Sequence, residues 1–229
     1  MEDVVRFKAG LVPWPNAGLF AVNLSLCILE YLAVNAAWCT AQRRWPPPRL
    51  LARQIKVSLS AAPWYALLPT AIEWLASKGF TQLHGGRVSL GEVLAFLCVV
   101  EGLVYWVHRA LHESPWLYRT LHRQHHEYKS REELSPFASM AFMPLDGLAQ
   151  AAPYALVALV MPCHAAVWEG LLFATGVWSS SIHDGSTTGT PGLMGARYHT
   201  VHHTCFRCNY GQYTIAWDWL CGTLRLPSA

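Results

Sequence analysis

Histidine spacing is the feature of this sequence that could do chemistry. Eleven histidines are present in 229 residues, and nine of them fall in two windows. The first window contains His108, His112, His122, His125 and His126, and the second contains His183, His199, His202 and His203. His108 and His112 have the spacing i, i+4, and both His122/His125/His126 and His199/His202/His203 have the spacing i, i+3, i+4, which places side chains on one face of a helix. Each such helix would present a fan of imidazoles, and facing fans could hold two metal ions.

Metal binding explains this clustering better than a pH sensor or a chance grouping. Protonating several neighbouring imidazoles would be repulsive, and burying them without partners would cost free energy. A structural zinc ion needs only four ligands, whereas neutral imidazole also binds iron, copper and nickel. A pair of redox-active irons with histidine ligands matches the number best. The sequence therefore predicts a two-iron centre.

Other histidines and cysteines offer weaker sites. His84 lies in a loop beside two glycines, and His164 lies near Pro162, so both are expected to be structural. The stretch HHTCFRC adds Cys205 and Cys208 to a histidine pair and could bind zinc instead. A lone Cys-x-x-Cys lacks the second pair of a zinc ribbon, which leaves this as the minor alternative.

Ligating histidines usually donate their outer ring N–H to an oxygen acceptor, which fixes the ring tautomer. We expect Asp184, Asn209 and Asp218 to supply such acceptors. Three further carboxylates are close to the histidines in sequence and could serve equally: Glu101, Glu127 and Asp146. For each of the six, an ordinary capping or polar role is an open alternative.

The elements that position these residues are expected to lie in a membrane. The chain is 53% hydrophobic and 14% charged, against about 25% charged residues in soluble domains. Four stretches are apolar enough to enter a bilayer: Gly18 to Trp38, Val57 to Ala76, Ser89 to Val107, and Leu148 to Trp178. As one helix the last would run about 46 Å, which exceeds a hydrocarbon core of about 30 Å. Two shorter helices meeting near Pro162 fit better, and the predicted fold is an all-α integral membrane helical bundle.

Basic residues predict which side of the membrane carries the histidines. Arg43, Arg44, Arg49, Arg53 and Lys56 follow the first span, and the positive-inside rule places them in the cytosol. Two further crossings and a hairpin then bring both histidine windows to that same face. We expect one membrane domain over residues 1–229: transmembrane helices in 18–107, the first histidine boxes in 108–147, a helical hairpin in 148–178 and the last boxes in 179–229.

The composition disfavours nucleic-acid binding and a disulfide-bonded fold. The net charge of +3 is small and scattered, and basic residues do not alternate with aromatic ones, so nucleic-acid binding is not expected. Seven cysteines, an odd number, imply no disulfide framework and favour a reducing compartment.

The histidine boxes HRALH, HRQHH and HTVHH resemble those of the fatty acid hydroxylase and sterol desaturase superfamily. The segments APWYALLPT, EGLVYWVHRALH, SIHDG and NYGQYTIAWDWLCGTLR are similar to segments of sterol C-5 desaturases, most closely those of plants, and occur in the same order. The resemblance extends over about residues 10 to 227. It implies that all nine histidines of the two windows are ligands of two iron ions.

This resemblance also implies an activity and its partners. The enzyme would introduce the C5=C6 double bond into a delta-7 sterol taken from the bilayer, consuming molecular oxygen. Electrons would come from NADH through cytochrome b5 and its reductase, in a multi-pass endoplasmic reticulum protein whose histidine boxes face the cytosol. A related lipid or sterol hydroxylase is an alternative, because the outcome depends on how the substrate carbon lies relative to the oxidant.

One residue departs from the family pattern, because Met143 stands where the family has a histidine in AFHP. A thioether is a poor ligand for high-valent iron, so a catalytically impaired paralogue is a second alternative. The apolar substrate pocket is expected to include Pro144, Leu145, Trp178 and Ile182. Five basic residues beside the first boxes could either dock an acidic electron donor or anchor the membrane face: Arg109, Arg119, Arg123, Lys129 and Arg131.

Overall fold

The computed structural model describes residues 15–187 and 189–227, and most of these residues are helical. The helices are α1 Pro15–Ala41, α2 Pro48–Ser77, α3 Leu90–Glu113, α4 Pro115–Leu117, α5 Pro144–Val160, α6 Ala165–Ile182, α7 Ala196–Cys205 and α8 Ala216–Leu220. Tyr118–His122 forms a π-helical turn, and His125–Glu127 and Pro136–Ala138 form 3-10 turns. Two short strands, β1 Leu83–His84 and β2 Cys163–His164, pair in parallel. The predicted helical fold class is confirmed.

Two helices are long and apolar enough to cross a membrane. They are α1, over Asn16–Ala41, and α3, over Leu90–Glu113, each with a mean hydropathy of 1.8. Large apolar side chains on both helices are exposed, among them Leu29 and Leu94. Exposed apolar helix faces suit contact with lipid better than contact with water.

The other predicted spans correspond to α2 and to the pair α5 and α6. Helix α2 contains Pro63 and Pro69 without interruption of its assigned helix. Helix α5 ends at Val160 and α6 begins at Ala165, so two helices lie on either side of the predicted break at Pro162. In this break β2 pairs with β1, which follows α2, and the end of α5 is thereby fixed against the end of α2.

The core packs α3 against α5 and α6. Phe96, Val100 and Val104 on α3 are buried in one cluster with Tyr154 and Trp168. The indole N–H of Trp168 donates to the Tyr154 carbonyl oxygen at 3.1 Å, which joins α6 to α5. Because the β1–β2 pair holds one end of the bundle, the C-terminal ends of α3 and α6 and the N-terminal end of α5 meet at the other. The histidines lie at that second end.

Candidate metal centre

All nine histidines of the two windows converge at one end of the bundle, where each is buried. They form two groups, and within each group the ligand atoms lie within 4.8 Å of one another. Group one contains His108, His112, His122, His126 and His202; group two contains His125, His183, His199 and His203. The groups adjoin, because the ring centroids of His126 and His203 are 4.5 Å apart.

The boxes HRQHH and HTVHH are each divided between the groups, whereas both histidines of HRALH belong to group one. His122 ends a π-helical turn, and His125 and His126 lie in a 3-10 turn in which His126 has φ −82° and ψ 15°. The expectation that His122, His125 and His126 share one helical face is therefore wrong. In HTVHH the adjacent His202 and His203 enter different groups from the α-helix Ala196–Cys205.

Outer ring nitrogens are held by oxygen acceptors at five of the nine histidines. His122 Nδ1 lies 2.8 Å from Asp146 Oδ2, and both side chains are fully buried. The other four contact main-chain carbonyl oxygens: His108 with Tyr210 at 3.0 Å, His183 with Ser179 at 2.7 Å, His202 with Cys208 at 2.7 Å and His203 with Tyr128 at 2.9 Å. A proton on each of these Nδ1 atoms leaves the Nε2 lone pair facing inward.

The inward nitrogens fit a cation. Nε2 of His183 lies 3.0 Å from Nε2 of His199, which lies 3.1 Å from Nε2 of His203. In group one, Nε2 of His108 and of His202 are buried and have no hydrogen-bond partner among residues 15–187 and 189–227. Nε2 of His199 carries at most one proton, so it can donate to His183 or to His203 but not to both. A metal ion would bind the lone pairs of both.

Electrostatics keep these imidazoles neutral, which is the form that binds metal. Burial, reinforced by the neighbouring rings, lowers the pKa of His199, His202 and His203 well below the usual 6.5. Neutral imidazoles in a converging set are the donors that iron and zinc accept in proteins. The donor set therefore fits a metal centre made of histidine alone.

The alternative with Cys205 and Cys208 finds no support in the geometry. His202 and His203 belong to different groups, and both groups consist of histidines. Burial raises the pKa of the Cys208 thiol to about 11, which disfavours the thiolate that zinc would bind. Cys208 serves the site through its carbonyl oxygen, which accepts from His202.

The expected acceptors are only partly the observed ones. Asp146 contacts a ring nitrogen directly. Asp218 acts one step away, because it accepts from the main-chain N–H of Tyr210 and of Gly211 at 2.8 Å, and the Tyr210 carbonyl oxygen accepts from His108.

Asp184 and Asn209 are directed elsewhere, so their expected contacts with ring nitrogens are a wrong prediction. Asp184 accepts from the indole of Trp38 at 3.0 Å and from the side chain of Gln42. The Asn209 side chain holds the C-terminal segment through both the N–H and the carbonyl of Arg225.

Two further carboxylates are also engaged outside the rings. Glu101 accepts from the main-chain N–H of Tyr213 and Thr214, and Glu127 pairs with Arg53 at the surface. Main-chain carbonyls replace them because loops and helix ends bring such oxygens against the rings, and any residue type can supply one.

The sequence also singles out Met143, His84 and His164. Met143 precedes the first residue of α5 and is 40% exposed, unlike the buried histidines of the two groups. His84 and His164 pair edge to face in the β1–β2 bridge at the opposite end of the bundle, where His84 contacts Glu92 at 3.0 Å. The structural role expected for both histidines agrees with this placement.

An apolar cavity of about 540 Å³ leads to the histidines between α1, α2, α5 and α6. Its inner end includes Ser179, whose carbonyl accepts from His183, and Phe142, whose ring lies 4.5 Å from that of His125. Leu29 and Phe173 also line it, and each is more than half exposed on the outer surface of the bundle. An apolar molecule could therefore enter from the lipid-facing side.

The residues expected to line this cavity are not the ones that do. Leu145 is 57% exposed, and Ile182 is buried in the protein interior. Trp178 turns to the 210–214 segment, where its indole donates to the Gln212 carbonyl at 2.7 Å. The lining comes from α1 and α2 as well as α5 and α6, and Pro144, Leu145, Trp178 and Ile182 are not part of it.

A second recess, of about 650 Å³, opens over His112 and His126 on the polar end of the bundle. Four basic residues line it: Arg119, Arg123, Lys129 and Arg207. Arg109 instead pairs with Glu113, and Arg131 donates to the Gly185 carbonyl. Among the described residues, Glu127 is the one acidic residue in the lining of this recess, and His112 and His126 of group one form part of its wall.

A helical bundle with two membrane-length helices and a buried histidine centre defines a membrane-bound metalloenzyme of the histidine-box type. The model of the fatty acid hydroxylase family matches residues 93–223, and the chain belongs to that family. Delta(7)-sterol-C5(6)-desaturase of Nicotiana tabacum is 39% identical over 188 residues, covering 80% of this chain and 69% of the relative. Lathosterol oxidase of Homo sapiens is 32% identical over 242 aligned positions, covering 100% and 79%. No solved structure matches.

Proposed function

We propose that this protein is a sterol C-5 desaturase, an oxidoreductase that introduces the C5=C6 double bond into a delta-7 sterol. The observation that carries the proposal is the junction of the apolar cavity with group two at Phe142 and Ser179. The names of the tobacco and human relatives support this substrate and this bond. The reaction removes two hydrogens from adjacent carbons, and molecular oxygen combines with them, two electrons and two protons to form two molecules of water.

Each histidine group would hold one iron ion, with all nine histidines as ligands. When bound, iron supplies the activation of oxygen that side chains cannot provide against an unactivated C–H bond. The chain contributes orientation, because the five Nδ1 contacts described above fix their rings before any metal binds. The cavity contributes exclusion of water and alignment of the rigid substrate.

The membrane arrangement is part of the proposal. Helices α1, α2 and α3 would cross the bilayer and α5 with α6 would form a hairpin, within one domain over residues 1–229. The histidine end would face the cytosol, which the basic residues between α1 and α2 support. For the reaction proposed, the endoplasmic reticulum is the expected location, since its membrane would supply the sterol.

Electrons would arrive at the basic recess. Cytochrome b5, reduced by its NADH-dependent reductase, is the proposed donor, because an acidic partner complements Arg119, Arg123, Lys129 and Arg207. The recess reaches His112 and His126, so a donor bound there would be close to group one.

The alternatives are less well supported. The Met143 side chain is 40% exposed, whereas the nine histidines are buried, so a methionine at this position leaves the histidine set itself intact. The hydroxylase alternative shares the same site and differs only in the fate of the substrate, and the names of the tobacco and human relatives favour desaturation.

Complementation with sterol profiling tests the proposal. Cells lacking sterol C-5 desaturation should regain the C5=C6 double bond when they express the wild type. His202→Ala should abolish this product, whereas His84→Ala, a histidine outside both groups, should retain it. Iron content of the purified proteins should follow the same order, near two per chain in the wild type. A product heavier by one oxygen would identify a hydroxylase, and accumulation of the delta-7 sterol alone would refute both.

A further inference from the structure

An acidic residue in the middle of α1 is not explained by the metal centre. Glu30 lies within the apolar span Asn16–Ala41 and lines the cavity. Its Oε1 atom is buried and has no hydrogen-bond partner among the described residues, 15–187 and 189–227. A carboxyl group at this depth in a membrane helix costs free energy and usually marks a functional site.

This carboxyl lies against the opposite wall of the cavity. A Cβ atom added to Gly176 on α6 would lie 2.2 Å from Glu30 Oε1, so the glycine lets the carboxyl approach the α6 backbone closely. The carboxyl of Glu30 thus reaches from α1 to the backbone of α6. Gly176 precedes His183 by seven residues, which is about 10 Å along the helix axis.

We propose that Glu30 binds the 3-hydroxyl group of the sterol and thereby sets which carbons face the metal centre; this inference rests on the proposed function. In a sterol the hydroxyl oxygen is three bonds from carbon 5, which spans about 4 Å with bonds of about 1.5 Å. A hydroxyl bound at Glu30, with the rings directed toward His183, places carbon 5 about 6 Å, along the helix axis, from the level of the His183 Cα atom. The His183 ring folds back toward Ser179, and this interval leaves space for a metal ion between the ring and carbon 5.

Ser139 is the competing anchor, and its position fits less well. Its hydroxyl is also buried without a partner in the described residues, and it lines the same cavity. The Ser139 carbonyl lies 3.4 Å from the hydroxyl of Ser179, which is four residues, or about 6 Å, before His183. A sterol hydroxyl bound there would leave only about 2 Å, along the helix axis, between carbon 5 and the level of the His183 Cα atom. This interval is too short for a metal ion.

Sterol binding to the purified protein tests this assignment without turnover. The probes are a tritiated delta-7 sterol with a free 3-hydroxyl and its 3-deoxy analogue. A hydrogen bond to a charged group contributes about 1.5–3 kcal/mol, so the wild type should bind the hydroxysterol about 10- to 100-fold more tightly. Glu30→Leu should reduce this preference below about threefold by weakening the hydroxysterol alone, and Glu30→Gln should keep an intermediate preference.

The controls separate anchoring from folding. Binding of the deoxy analogue reports an intact cavity in each variant, and Ser25→Ala changes a polar residue on the exposed face of α1 and should keep the full preference. Equal weakening of both sterols in Glu30→Gln, or an undiminished preference in Glu30→Leu, would overturn the inference. Loss of the preference in Ser139→Ala but not in Glu30→Leu would also overturn it. A wild type that discriminates between the sterols yet forms no double bond would refute the proposed function and support the anchor.

Discussion

The contact between Asp146 and His122 gives a prediction whose size follows from the structure. Both side chains are fully buried, and the ring Nδ1 lies 2.8 Å from the carboxylate. A charge-assisted hydrogen bond contributes about 1.5–3 kcal/mol and a neutral one about 0.5–1.5 kcal/mol. Asp146→Asn keeps the shape and an oxygen acceptor but removes the charge, so about 1–1.5 kcal/mol should be lost. This corresponds to an iron affinity about tenfold weaker.

Chelator titration of the purified, iron-loaded protein measures this change, with iron counted by mass spectrometry. Asp146→Ala, which leaves the ring without its acceptor, should lose more, up to about 100-fold. Glu127→Gln is the matched control. Glu127 lies in the 3-10 turn next to His126, but its carboxylate pairs with Arg53 at the surface. If Asp146→Asn loses iron at the same chelator concentration as the wild type, the contact between Asp146 and His122 does not strengthen iron binding, and the prediction is refuted.

Two other substitutions address the remaining questions about the site. Met143→His should leave iron content and product formation unchanged, because residue 143 is 40% exposed whereas the nine histidines are buried; a rise in iron per chain would show that the histidine set was incomplete. Arg123→Glu should slow reduction by cytochrome b5 severalfold at low salt, measured by stopped-flow absorbance, while reduction by dithionite stays at the wild-type rate. Equal rates with cytochrome b5 would place the donor elsewhere.

The convergence of the nine histidines could be predicted from the sequence because histidine is chemically distinctive and its spacing is helical. Their division into two groups could not. HRQHH lies in a π-helical turn, Tyr118–His122, and a 3-10 turn, His125–Glu127, whereas HTVHH lies in the α-helix Ala196–Cys205. Both boxes are nevertheless divided, so the division depends on which side of each element meets its neighbours in the folded bundle.

Most hydrogen-bond acceptors of the outer ring nitrogens could not be predicted from the sequence either. The sequence offers carboxylates and amides as candidate acceptors, and Asp146 is the one carboxylate among the described contacts with an outer nitrogen of the nine histidines. The other four acceptors observed at these nitrogens are main-chain carbonyl oxygens. The positions of the Tyr128 and Cys208 carbonyls depend on where a loop passes. Because carbonyl oxygens carry no residue identity, substitution cannot delete them. We therefore expect exchanges that preserve the buried packing of residues 128 and 208 to keep the carbonyl contacts with His203 and His202, whereas Asp146→Ala removes the acceptor of His122.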